Sequence, residues 1–171
     1  MAFTFVVEDG TGLTSATSYI SVADADDILT VNIHSASAWD ALTDPDKERL
    51  LAWASRYLDT FARWNGRKTV ETSALRWPRT GVKDRDGVVI LGTAIPRQLK
   101  IATAEMARFL IAEDRSTERG QDALKKLKAD VIEIEFSEGY RLPTIPKLIY
   151  SQLEGLGTLS AGKPRIKWIN R

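Results

Sequence analysis

The apolar residues fall into three stretches of helical period separated by segments without one. Ser21 is a good helix N-cap, and Asp24 three residues on completes an imperfect capping box. Val22, Ala25, Leu29, Asn32 and Ile33 then recur at helical spacing, predicting a short helix over 22–32. The second stretch is the clearest. Asp44 reads as its cap and Pro45 as its first residue, where a missing N–H costs nothing. Leu50, Ala54, Tyr57, Leu58 and Phe61 form one stripe, widened by Trp53 and Trp64, with Asn65-Gly66 as the stop. The third helix opens at Pro96 and buries Leu99, Ala102, Thr103, Met106, Phe109 and Leu110. The second and third helices are expected to pack together as the main core.

The remaining segments lack this period. Residues 1–17 read as extended, with a turn at Gly10 and Gly12. Between 66 and 94 the pattern is irregular. Trp77-Pro78 excludes a continuing helix, because the residue before proline avoids the helical region. Asp86-Gly87 before Val88–Leu91 reads as a turn into a short strand. Such a long loop in a compact domain serves a function or wraps a neighbour. Alternation of Ile132, Ile134 and Phe136 with Glu133 and Glu135 predicts a strand or hairpin arm over 130–136. A last helix is expected from Pro146 to Glu154, ending at Gly155. The chain therefore reads as mainly α. A small helical bundle over 1–155 carries a short β arm, and an extended basic C-terminal tail covers 156–171.

Composition narrows the chemistry. The 171 residues are 43% hydrophobic and 27% charged, enough for one packed domain. There is no cysteine, which excludes disulfides, thiolate metal sites and cysteine nucleophiles. Met1–Val7 is apolar but short and without a basic flank, and does not read as a signal peptide. No apolar run reaches membrane-spanning length. The net charge of +1 conceals an asymmetry. Glu8, Asp9, Asp24, Asp26, Asp27, Asp40, Asp44 and Asp46 precede every one of the 24 Lys and Arg residues. The two parts either pair within one subunit or steer one subunit onto another.

No catalytic or cofactor constellation emerges, so no enzyme, cofactor or metal is expected. His34 is the only histidine and has no matched nucleophile. Asp24, Asp26 and Asp27 read as helix-end electrostatics, and Asp84-Arg85-Asp86-Gly87 as a turn that lacks the rest of a calcium loop. No phosphate-binding glycine pattern or nucleophile elbow is present. Trp64, Arg67, Lys68, Arg76, Trp77 and Arg79 do interleave aromatic and basic side chains, the mixture that binds single strands. The tail repeats it with Lys163, Arg165, Lys167, Trp168 and Arg171. Tryptophans beside an amphipathic helix are otherwise core or interface anchors. The row Arg49, Arg56, Arg63 reads as a solvated face, or as a contact for an acidic partner or a phosphate backbone.

Two signatures resemble a known family. One is Val7-Glu8-Asp9-Gly10-Thr11-Gly12-Leu13 with Ala16–Ala25. The other is Ala74-Leu75-Arg76-Trp77-Pro78-Arg79-Thr80-Gly81-Val82 with Asp84, Asp86-Gly87 and Ile95-Pro96, followed by Ala102–Leu110 in the next helix. Over residues 7 to about 136 the chain resembles tailed-phage and prophage proteins often labelled DnaT-like single-stranded DNA-binding protein. The resemblance implies two competing roles. One is a primosome-like replication factor that binds single-stranded DNA. The other is a head-to-tail adaptor, or head-completion protein. Such adaptors form a homo-oligomeric ring in the virion neck, a dodecamer by portal symmetry, after assembly in the host cytoplasm. DNA passes through the ring without sequence specificity, and the ring meets the portal protein and the next neck or tail-completion protein. The adaptor role is the expectation taken forward. In it Trp77, Pro78 and Arg79 fix the long loop, the strand around Ile132, Ile134 and Phe136 pairs beside a neighbour, and the basic tail docks.

Overall fold

The computed structural model describes residues 3–34, 36–112, 127–129, 132–134 and 145–159. It is mainly α with small two-stranded sheets, as expected. The helices are α1 (Val22–Thr30), α2 (Ala36–Asp40), α3 (Asp44–Phe61), α4 (Arg97–Ala112) and α5 (Lys147–Gln152). Six short strands join them: β1 (Ala62–Trp64), β2 (Arg67–Lys68), β3 (Arg79–Thr80), β4 (Leu127–Ala129), β5 (Ile132–Ile134) and β6 (Gly157–Leu159). They pair antiparallel as β1–β6, β2–β3 and β4–β5.

Local rules explain the helix starts. Ser21 Oγ accepts from the Asp24 N–H at 3.1 Å and caps α1. Pro45 lies in the first turn of α3, but the cap is Thr43, one residue earlier than expected. The Thr43 carbonyl accepts from the Lys47 N–H at 2.9 Å, while its hydroxyl donates to Asp46 Oδ2 at 2.7 Å. Asp44 and Asp46 then face the positive helix end. Pro96 precedes α4 and accepts from the Lys100 N–H at 3.1 Å.

The core lies between α3 and α4, with α1 and α5 packed on α4. Leu51, Ala54 and Leu58 of α3 meet Leu99, Ala102 and Met106 of α4 out of contact with water. Each fully buried leucine or methionine among them contributes about 2 kcal/mol. The buried stripe of α3 is rotated from the expected one: Leu51 and Ser55 are inside, while Leu50, Trp53 and Phe61 are half-buried. The rotation follows from a second neighbour, since Ser55 Oγ accepts from the Tyr19 N–H at 3.2 Å.

Nonlocal pairing corrects several boundaries. α1 ends at Thr30, and the unforeseen α2 follows, burying Trp39. Trp39 Nε1 and Lys47 Nζ both donate to Asp26 Oδ1, at 2.6 and 2.9 Å. Burial raises the Asp26 pKa, but those two donors and the Lys47 charge outweigh it and hold the carboxyl below its ordinary value. Helix α3 stops at Phe61, before Asn65-Gly66, because Ala62, Arg63 and Trp64 pair with Leu159, Thr158 and Gly157. The same pairing draws residues 156–159 of the expected tail into the fold, with Leu156 wholly buried. Asp84–Gly87 is a turn, the Gly87 N–H meeting the Asp84 carbonyl at 3.0 Å. The strand expected after it is reduced to a single bridge, Lys83 to Val89. The arm near 130–136 is a hairpin that begins earlier, with Ile132 opposite Ala129 and Ile134 opposite Leu127. Helix α5 is shorter than expected, and Gly155 follows it at φ +86°.

Candidate functional site

The two sequence signatures meet in space. Glu8, 2% exposed, accepts from the Gly10 and Gly12 N–H groups at 2.9 and 2.8 Å and from Leu13 N–H at 2.9 Å. These bonds fold the N-terminal signature into a tight loop. Its Leu13 carbonyl accepts from Ala74 N–H at 3.0 Å, at the edge of the central signature. Gly10 sits at φ +100°, and a Cβ there would collide with the Thr93 carbonyl, so only glycine lets these two loops approach.

Tyr19 and Asp59 brace the central loop from beneath. The Tyr19 hydroxyl donates to Asp59 Oδ1 at 2.7 Å. It also accepts from the backbone N–H groups of Arg76 and Trp77 at 3.0 and 3.3 Å. Asp59 accepts in addition from Trp64 Nε1 at 2.9 Å and Arg76 N–H at 3.0 Å. Burial, with the Asp59 charge beside it, pushes the Tyr19 phenol well above its ordinary value, so it remains a donor. Burial also raises the Asp59 carboxyl, against the pull of its three donors. Arg79 closes the loop from outside. Its Nε and Nη2 donate to the carbonyls of Asn65 and Gly66 at 2.6 and 2.7 Å, and its Nη1 to that of Arg76 at 3.1 Å.

Of the residues singled out in the sequence, Trp77 is 0% exposed and Pro78 is buried behind a cis Trp77–Pro78 bond. Trp77 meets Trp64 edge-on at 5.9 Å, and its indole N–H makes no hydrogen bond. Ile132 and Ile134 form the backbone of β5. Phe136, Lys163, Arg165, Lys167, Trp168 and Arg171 lie outside the described residues. The aromatic–basic mixture of 64–79 is therefore not one surface, since only Arg67 and Arg76 of its six residues are exposed. Both tryptophans are internal, and Lys68 and Arg79 are spent on carbonyls. His34 is exposed, and no metal-holding group of carboxylates or histidine occurs among the described residues.

Beside the brace lies a groove of about 930 Å³. Phe3, Trp53 and Leu75 supply its apolar lining, and Arg49, Arg56 and Arg76 its cations. The Arg56 guanidinium lies over the Trp53 ring at 5.6 Å, and Arg49 pairs with Asp46 at 2.9 Å. The sequence signal for this groove was the sevenfold Arg row. Arg63 does not join it, because β1 takes that residue out of helical register.

What the fold and groove define is a mainly α body whose central loop is held by hydrogen bonds with Tyr19, Asp59 and Arg79. The family described as "Putative DnaT-like ssDNA binding protein" matches residues 3–166, and the chain belongs to that family. No curated protein matches the chain, and neither does any solved structure. Among the described residues no helix is long and apolar enough to cross a membrane.

Proposed function

We propose that the chain is a structural subunit that works by fitting against copies of itself and other particle components. The concrete form of this reading is the head-to-tail adaptor implied by the resemblance: a ring in the virion neck between portal and tail. One observation carries it. Trp77 and Arg79 of the central signature are turned to internal contacts, Trp77 against Trp64 and Arg79 onto backbone carbonyls, and so serve shape, while Arg76 stays exposed at the groove. A rigid loop is what a docking subunit needs, since little entropy remains to be lost on contact. The reading assigns the chain no bond-making step. Its place would be the neck, and the cytoplasm of the host before assembly.

The test is made on particles. The chain is expected in purified virions, and particles lacking its gene are expected to accumulate capsids and tails unjoined. Joined particles without the chain would end this reading.

The family description favours a second reading, single-stranded DNA binding. Its candidate surface is the groove, with Trp53 to stack on a base and three arginines for phosphates. Three phosphate contacts predict that log affinity falls with log salt at a slope of about −2. Filter binding of an oligothymidylate at several salt concentrations measures this, and Arg56→Glu should abolish it.

A further inference from the structure

The same chain carries a surface that complements the groove. Val31 and Ile33 stand 82% and 81% exposed where α1 ends, the two most exposed large apolar side chains described. Asp27 is exposed one helical turn before Val31, and Asp40 is exposed on α2, which packs against α1. The last turn of α1 holds no basic residue, so the negative helix end is unopposed. Before Lys47 the chain has no Lys or Arg, and Lys47 is itself turned onto Asp26. The end of α1 and the neighbouring α2 thus expose apolar and acidic side chains and no Lys or Arg. The groove is the converse: Phe3, Trp53 and Leu75 inside, and Arg49, Arg56 and Arg76 around them.

We propose that the knob of one copy, Val31 and Ile33, seats in the groove of the next, with Asp27 and Asp40 facing its arginines. This rests on the assembly reading above and assigns the ring its contact. Knob and groove share no residue, so the contact is heterologous: every copy offers one of each, and repetition closes a ring or runs on as a filament. Burial of the two β-branched side chains supplies attraction, and the charges set register and reject misplaced partners.

The absence of native cysteine makes the contact measurable. Ile33→Cys marks the knob and Thr60→Cys, exposed at the groove, marks the receptor. The two variants are mixed at high concentration with a bismaleimide. The mixed pair should cross-link several-fold faster than either variant alone, or than Ile33→Cys mixed with Val89→Cys. The double-cysteine chain should give a ladder of multimers. Adding Arg49→Glu and Arg56→Glu to the receptor should slow the mixed reaction about threefold to tenfold, the worth of two exposed ion pairs. Adding Asp27→Arg and Asp40→Arg to the knob chain should then restore it, which a folding defect would not. Equal rates at all positions overturn the proposal. A ladder formed through Val89→Cys also overturns it, but leaves the adaptor reading standing on another surface. Protection of Thr60→Cys by an oligothymidylate, with no mixed product, overturns it and assigns the groove to nucleic acid.

Discussion

Replacing Tyr19 by Phe removes one oxygen and should loosen the whole central loop. That oxygen donates to Asp59 and accepts from the N–H groups of Arg76 and Trp77. After the change Arg76 keeps Asp59 as acceptor, at 3.0 Å, but the buried Trp77 N–H loses its partner. One orphaned buried donor, together with one lost hydrogen bond to a carboxylate, amounts to about 2–3 kcal/mol. Asp59→Asn keeps one acceptor oxygen and presents an amide to donors, for a cost of about 2 kcal/mol. The two groups share a bond, so the double variant should fall short of the sum by about 1 kcal/mol. Urea unfolding followed by tryptophan fluorescence reads all four stabilities, since Trp64 and Trp77 both sit on this network. Amide exchange at Arg76 and Trp77 reads the loop directly. Additivity within about 0.5 kcal/mol, with exchange unchanged in Tyr19→Phe, would refute the idea that the phenol braces the loop.

Two further expectations concern pH and backbone. Asp59 holds its proton in the fold at pH values where the unfolded aspartate, at 3.8, has released it. The folded state then binds more protons, so wild-type stability relative to Asp59→Asn should fall as pH rises through that window and level off above it. Urea midpoints of the two proteins across the acidic range check this, and a flat or rising difference contradicts it. Gly66 and Gly81 both have positive φ, +66° and +73°, but differ in surroundings. A Cβ on Gly66 would press on the Thr80 carbonyl and lie 2.7 Å from Val82 Cγ2, whereas one on Gly81 meets nothing within 4 Å. Gly81→Ala should therefore cost only the conformational strain, about 1 kcal/mol, and Gly66→Ala about 3 kcal/mol, by thermal unfolding.

The groove and the brace share their parts, which links stability to docking. Asp59 lines the groove on one side and holds Arg76 and Trp64 on the other. Leu75 and Arg76 reach the groove only because the Tyr19–Asp59 pair fixes the backbone of the loop. A variant that slackens the loop should weaken any partner held there, even with every arginine present.

Residues a few positions apart were enough to mark α1, α3 and α4, because caps and helical period act between neighbours along the chain. Ser21, Pro45 and Pro96 lie where such rules put them, and the α3–α4 core follows from matching apolar faces. Groups brought together from afar decided the rest. Tyr19 meets Asp59 and Arg76 across 40 and 57 positions, and no local pattern encodes that meeting. The end of α3 was set by β6, nearly a hundred residues on, since strand pairing satisfied backbone groups that the helix would otherwise have claimed. The same distance effect turned Trp77 from a candidate surface residue into core. Composition shows a tryptophan beside arginines, but only packing determines which of them water can reach.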